Sequence, residues 1–255
     1  MRLPKALITS AVLIALTATG CSRPNNSGLT VSVAASLQDA MRQLAPVFEQ
    51  AHPESKISFN FGGSGTLGQQ IEHGAPVDVF LAAASKEMDE LAAKGLLLND
   101  TRRDLLGNQV VLIAPNGSSL ESFAGLTANS VKLIALGNPG SVPAGDYGRQ
   151  VLESLKLWNV VQGKLVLGKD VRQVLTYVET GDADAGIVYA TDARLSGKVR
   201  VVATAPESSH QPVVYPIAVL KDSRNVPAAR AFISFLETSQ AREVFTRLGF
   251  TMAGQ

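Results

Sequence analysis

Short apolar, β-branched runs alternate with segments of helical periodicity along the whole chain after residue 28. Residues 29–34 and 77–82 form β-rich runs, whereas residues 36–50 place their apolar side chains on one helical stripe. Repeated strand–helix units of this kind build parallel sheets with helices on both faces. The alternation therefore predicts an α/β fold. In such sheets, ligands bind where a strand ends and the next helix begins.

The same pattern assigns the remaining elements and divides them into two groups. Further strands are predicted over residues 56–61, 108–114, 133–136, 165–167, 185–189, 199–203 and 213–220. Further helices are predicted over residues 66–73, 86–94, 144–157, 171–180, 228–237 and 239–248. Apolar runs near residues 106–114 and 201–213 lead from one group to the other, so the chain is expected to cross there. We expect lobe 1 to comprise residues 29–106 and 205–255, and lobe 2 to comprise residues 107–204.

The N-terminal segment has the pattern of an export signal. Two basic residues precede an apolar run over residues 6–20, which is short for a membrane span and ends at Cys21. The stretch ATGC at 18–21 resembles a lipobox, which implies lipidation of Cys21 and a periplasmic or cell-surface lipoprotein. An ordinary signal peptide with an incidental cysteine is the alternative. We expect residues 1–21 to be the signal peptide and residues 22–28 to be a flexible tether.

Composition excludes several classes of function. The net charge of +1 shows no basic or acidic excess, so nucleic acid is not an expected partner. Cys21 is the only cysteine, which excludes disulfides within the chain and cysteine-based metal sites. The three histidines have no metal-ligand spacing, so we expect no cofactor and no metal coordinated directly by side chains.

Two predicted strand-to-helix junctions in the first half of the chain carry serines. Ser36 follows the first strand and Asp39 comes three residues later, a spacing that predicts a helix N-cap. Residues 62–66 read GGSGT, and such a loop lets backbone N–H groups converge on a bound anion around Ser64. A simple cap and a simple glycine-rich turn are the alternatives. The loop matches neither a Walker loop nor a nucleophile elbow.

Three further junctions lie in the second half of the chain. A proline before Ala144 suits a first helical position, which leaves Ala144 with a free N–H. Asp170 is a predicted N-cap, and Val171 after it supplies another N–H. Tyr189 ends an apolar strand, where its phenol either donates to a ligand or packs in the core.

Taken in order, these stretches resemble the periplasmic molybdate-binding proteins of molybdate ABC transporters. The matching stretches are VAASL at 33–37, GGSGTL at 62–67, GAPVDVFLAA at 74–83, GNPGSVPAG at 137–145, KDVRQVL at 169–175, GIVYATDA at 186–193, VVATAPESSHQPVVYPIAV at 201–219 and FTRLGF at 245–250. The resemblance covers residues 29–252. It implies a two-lobed type II periplasmic-binding-protein fold, in which each lobe is a mostly parallel sheet flanked by helices and joined by crossing hinge strands.

The resemblance also implies ligand, partners and site. The ligand would be molybdate, and tungstate with it, delivered to an ABC permease and its ATPase by a monomeric protein held at the membrane through the lipid anchor. Serine hydroxyls, helix N–H groups and one phenol would bind the oxyanion, from Ser36, Ser64, Ala144, Val171 and Tyr189. Relatives carry further serines where this chain has Gly63 and Gly65, which alters the expected number of donors.

The chemistry of the ligand agrees with these residues. Molybdate is a tetrahedral dianion without protons at neutral pH, so it requires only donors. A site without acceptors leaves the proton of hydrogen phosphate unpaired. Donors at helix N-termini hold a dianion without lysine or arginine, and we therefore expect Arg149, Lys169 and Arg172 on solvated helix faces.

Three alternatives stay open at this stage. Another oxyanion such as sulfate needs the same donors and differs only in the size of cavity it fits. A serine hydrolase would use Ser36 or Ser64 as nucleophile with His73 as base, although no elbow motif is present. A sensor or adhesion module could share the fold without a transporter. We expect binding rather than enzymatic activity.

Overall fold

The structure is a computed structural model that describes residues 28–253 and contains two β-sheets flanked by helices. The strands are β1 Leu29–Ala34, β2 Ile57–Gly62, β3 Val79–Leu81, β4 Arg103–Asn108, β5 Val110–Pro115, β6 Ile134–Gly137, β7 Leu165–Gly168, β8 Ala185–Tyr189, β9 Val199–Thr204, β10 Val213–Val219 and β11 Thr251–Met252. The α-helices are α1 Gln38–Ala51, α2 Ser64–Glu72, α3 Ser85–Ala93, α4 Pro143–Ser154, α5 Trp158–Val161, α6 Val171–Thr180, α7 Ala190–Arg194, α8 Val226–Leu236 and α9 Ser239–Leu248. None of the helices in this part of the chain is long and apolar enough to cross a membrane. The predicted signal peptide, Cys21 and most of the predicted tether lie outside the described residues.

The two sheets define two lobes. The first lobe has the strand order β11-β4-β10-β3-β1-β2, and the second has the order β7-β6-β8-β5-β9. In the first sheet β1 pairs in parallel with β2 and β3, whereas β10 and β4 join antiparallel. In the second sheet β6 pairs in parallel with β7 and β8, whereas β5 joins antiparallel. The predicted two-lobed α/β fold is confirmed, and each sheet is mixed because the crossing strands enter it antiparallel.

The chain crosses between the sheets twice, within the two apolar runs from which crossings were predicted. β4 ends at Asn108 in the first sheet, and β5 begins at Val110 in the second. The return runs from the end of β9 to Val213, which pairs with Asn108. The C-terminal helices α8 and α9 pack on the first lobe, where the ring of Phe232 lies 5.2 Å from that of Phe48.

Local sequence signals explain the best-predicted helix and the elements that were missed. Helix α6 has the predicted bounds because the Asp170 side chain accepts from its third N–H at 2.9 Å and Gly181 ends it in a left-handed conformation with φ of 79°. Helix α2 begins two residues before its predicted start. Strand β4 was predicted only at its C-terminal residue, because just two of its six residues are buried and it lacks an apolar run. Strand β11 has two residues, too few for a periodic pattern.

Candidate functional site

A small cavity lies between the two lobes and is lined by twelve residues, of which all but Gly62 are buried. The lining residues are Ala34, Ala35, Ser36, Gly62, Gly63, Ser64, Ala83, Val142, Pro143, Ala144, Val171 and Tyr189. All five site residues predicted from the sequence are among them.

Each of these five residues stands at the end of a strand or the start of the helix that follows. Ser36 lies in a 3-10 turn between β1 and α1, and Ser64 is the first residue of α2. Ala144 is the second residue of α4, after the predicted proline, and Val171 is the first residue of α6. Tyr189 is the last residue of β8. Because the first N–H groups of a helix have no acceptor within it, the N-termini of α2, α4 and α6 bring backbone donors to one cavity.

The two serine hydroxyls have defined neighbours. Ser64 Oγ accepts a hydrogen bond from the backbone N–H of Ala83 at 3.0 Å. Ser36 Oγ lies 3.0 Å from the phenol oxygen of Tyr215. Neither the 3-10 turn nor α1 has a side-chain cap, so Ser36 is not the helix N-cap expected from its spacing to Asp39.

The phenol of Tyr189 has no hydrogen-bond partner within residues 28–253, although it is buried. Burial raises the pKa of Tyr189 well above its ordinary value, so the phenol keeps its proton. A buried hydroxyl left unpaired costs about 1–3 kcal/mol. Because Tyr189 lines the cavity, its phenol is available to donate to a ligand there.

No charged side chain lines the cavity. Arg172, which the sequence predicted on a solvated face, is only 22% exposed and crosses between the lobes. It lies 2.7 Å from Asp39 of the first lobe, donates to the Ser36 carbonyl at 3.2 Å, and lies 2.7 Å from the fully buried Asp192. The contact with Asp192 is an ion pair without the geometry of a directed hydrogen bond. The prediction that Arg172 lies on a solvated face is wrong, because a hydrophilic residue at a helix start can face another lobe as well as water.

The other basic residues agree with the sequence prediction. Lys169 is exposed, and half-exposed Arg149 pairs with Glu153 at 2.7 Å and lies over the ring of Trp158. Neither side chain lines the cavity.

The glycine-rich loop brings the lobes into contact. Gly65 N–H donates to the Ser141 carbonyl of the second lobe at 3.0 Å. A Cβ atom added at Gly63 would lie 2.7 Å from that carbonyl oxygen, and one at Gly65 would lie 2.7 Å from Ser141 Cα. These glycines are therefore needed for close approach of two backbones, a role that the sequence did not reveal.

The geometry offers no support for a serine nucleophile. His73 follows the last residue of α2, at the opposite end of that helix from Ser64, and its ring contacts the Gln69 carbonyl at 2.7 Å. No histidine lines the cavity beside either serine. Within the described residues, no cluster of metal-ligating side chains was found.

The chain is similar to known proteins in both sequence and fold. The sequence profile of the family described as bacterial extracellular solute-binding protein matches residues 29–251. YvgL of Bacillus subtilis (strain 168), named provisionally as the substrate-binding lipoprotein of an ABC transporter, is 44% identical, with 96% of each chain covered. The molybdate-binding protein ModA of Haemophilus influenzae is 40% identical, covering 96% of this chain and 97% of its own. The structure of the periplasmic molybdate-binding protein of Azotobacter vinelandii superposes with a TM-score of 0.77 at 26% identity, covering 88% of this chain and 98% of its own.

Proposed function

The chain belongs to the family of bacterial extracellular solute-binding proteins, and on this premise we propose that it captures molybdate outside the cytoplasm for an ABC-type importer. Relatives named as molybdate-binding proteins match nearly its whole length. The observation that carries the proposal is a buried cavity lined by hydroxyls and helix N-termini and by no charged side chain.

The proposed ligand contacts come from both lobes. Ser36 and Ser64 donate their hydroxyls, Tyr189 donates its phenol, and Ala144 and Val171 donate backbone N–H groups. All five line the cavity. Hydrogen bonds to a charged group contribute about 1.5–3 kcal/mol each, so a set of five outweighs the cost of ordering and closure.

The proposed set of donors also predicts which anions bind weakly. Every proposed contact donates, so a fully deprotonated dianion satisfies the site whereas the proton of hydrogen phosphate has no acceptor. Tungstate has the same shape and charge as molybdate, and we propose that it binds as well. Sulfate is smaller, so the dimensions of the cavity rather than its hydrogen bonds would select against it.

Calorimetric titration of residues 29–255 with molybdate, tungstate, sulfate and phosphate tests this proposal. We expect molybdate and tungstate to bind most tightly and phosphate to bind weakly. Ser64→Ala should weaken molybdate binding about 10- to 150-fold, because one donor to a buried dianion is lost. Ser130→Ala is the control, since Ser130 is exposed and does not line the cavity. Absence of molybdate binding, or equal affinity for all four anions, would refute the proposal.

We further propose that the chain is a monomer that binds its ligand without transforming it and hands it to a permease powered by an ATPase. Lobe 1 would comprise residues 29–106 and 205–255, and lobe 2 residues 107–204. Lipidation at Cys21 would hold the mature protein at the membrane, with residues 22–28 as the tether. Replacing Cys21 by serine should release the protein from membranes in cell fractionation without altering the affinity of the mature protein for molybdate.

A further inference from the structure

A chain of hydrogen bonds runs from the first crossing strand to the cavity. The side-chain amide of Asn108 donates to the phenol oxygen of Tyr215 at 3.1 Å and to the hydroxyl of Thr191 at 2.8 Å. Tyr215 Oη then lies 3.0 Å from Ser36 Oγ. The chain joins the last residue of β4 to a serine on the cavity through a phenol that is fully buried.

The amide of Asn108 can have only one orientation in this chain. Its Oδ1 accepts the backbone N–H of Gln109 at 2.9 Å, and a backbone N–H is always a donor. The NH₂ group must therefore face both Tyr215 and Thr191. Because that NH₂ group has no acceptor capacity, the phenol oxygen of Tyr215 is the acceptor in their contact.

This orientation decides the direction of the next bond. Among residues 28–253, the only acceptor within hydrogen-bond distance of the Tyr215 phenol is Ser36 Oγ. The single phenol proton therefore goes to the serine oxygen. Burial raises the pKa of Tyr215 far above its ordinary value, so the proton stays on the phenol at any pH the protein meets.

We propose that Asn108 and Tyr215 are positioning residues that fix the Ser36 hydroxyl as a hydrogen-bond donor toward the cavity. Ser36 Oγ accepts from Tyr215, and in the described part of the chain it has no other hydrogen-bond partner. Its own proton is left for a ligand. The proposal rests on anion binding at this cavity, and it adds the reason why the serine donates to the anion instead of accepting from it.

The second cavity serine is oriented in the same way by a different group. Ser64 Oγ accepts from the backbone N–H of Ala83, so its proton is likewise left for the cavity. For Ser64 the donor is a backbone N–H, which only a proline at Ala83 would remove. For Ser36 the direction of the hydrogen bond depends on one side-chain hydroxyl, that of Tyr215. Without this phenol, the Ser36 hydroxyl can turn and accept the proton of a hydrogen oxyanion, which makes Tyr215 a determinant of specificity.

A double-mutant cycle tests whether Tyr215 acts on ligand binding through Ser36. Molybdate affinity is measured by calorimetry for the wild type, Tyr215→Phe, Ser36→Ala and the double variant. Tyr215→Phe should weaken binding about 3- to 12-fold in the wild type, the value of one hydrogen bond, and less than about twofold in Ser36→Ala. Tyr147→Phe is the matched control, because its phenol is also buried but bonds the Pro212 carbonyl at 3.3 Å and does not line the cavity.

Displacement of bound molybdate by sulfate and by phosphate at pH 8 gives the second measurement. Tyr215→Phe should reduce the advantage of sulfate over phosphate at least about threefold, whereas a general packing defect would weaken both anions alike. The proposal would be overturned if Tyr215→Phe reduced molybdate affinity equally with and without Ser36, or did not reduce it in the wild type. An unchanged ratio of sulfate affinity to phosphate affinity would overturn it as well. Failure of the wild type to bind molybdate would instead refute the proposed function. Thermal unfolding without ligand shows whether each variant folds.

Discussion

Gly65 is the position where a single methyl group should hold the two lobes apart. It is the second residue of α2, and a Cβ atom there would lie 2.7 Å from Ser141 Cα and 2.9 Å from the Gly140 carbonyl oxygen. Both are backbone atoms of the second lobe, so they cannot rotate away as a side chain can. Gly65→Ala can therefore be accommodated only by shifting one lobe relative to the other.

The size of the effect follows from these distances. Ordinary contacts of a Cβ atom begin near 3.4 Å, so the lobes must separate by about 0.7 Å at this point. The hydrogen bond from Gly65 N–H to Ser141, now 3.0 Å long, would be stretched beyond its useful range. Losing it costs about 0.5–1.5 kcal/mol, and longer anion contacts across the cavity add a similar amount. Molybdate affinity should fall about 10- to 100-fold.

Calorimetry on Gly65→Ala and Gly68→Ala measures this effect. Gly68 lies on the same helix, but the nearest atom to its added Cβ is Glu87 Cβ at an ordinary 3.9 Å. Both variants gain helix propensity, about 0.5–1 kcal/mol. Without ligand, Gly68→Ala should therefore unfold at or above the wild-type temperature, and Gly65→Ala should unfold near it, because the gain offsets the lost hydrogen bond. Only Gly65→Ala should lose affinity. Wild-type affinity in Gly65→Ala, or an equal loss in Gly68→Ala, would refute the steric argument.

Three further predictions concern the groups around the cavity. Arg172→Met leaves the buried carboxyl of Asp192 without its cation, so the free energy of unfolding measured by chemical denaturation at pH 8 should fall by about 3 kcal/mol. The fall should be smaller at pH 5, because burial raises the pKa of Asp192 to about 6 and most of the carboxyl is then neutral. Burial raises the pKa of Glu87 from 4.5 to about 7. Its contribution to stability is therefore greatest below pH 4.5 and is lost as the pH rises to 7. In the same denaturation assay, Glu87→Gln should stabilise the protein by up to about 3 kcal/mol at pH 8 and leave the stability at pH 4 unchanged. Val171→Pro should abolish one N–H donor and weaken molybdate binding at least about tenfold in calorimetry, whereas Val171→Ala should bind nearly as well as the wild type.

The five predicted site residues could be placed on one cavity from the sequence because each one sits at a local junction. The end of a strand, a proline at a helix start or an Asp170 cap is visible within a few residues, and α/β topology brings such junctions together. Helix α6 has its predicted bounds for the same reason.

The groups around those residues could not be found in this way. Asn108 and Tyr215 are 107 positions apart, and Arg172 contacts Ser36 across 136 positions. No periodic pattern records such a pairing, since a buried tyrosine in a strand looks the same whether it packs or donates. The need for a glycine at position 65 was hidden for a similar reason, because its opposing backbone belongs to the other lobe.

The burial of the cavity walls has a kinetic consequence. Because eleven of the twelve lining residues are buried, an anion held there would dissociate mainly after the lobes separate. Its dissociation rate then has a ceiling, which is the rate at which the closed form opens. Residence time would be a property of the Gly65–Ser141 contact and the Arg172 bridge as much as of the donors themselves. A membrane partner that separates the lobes could therefore discharge the anion within a transport cycle without competing for a single hydrogen bond.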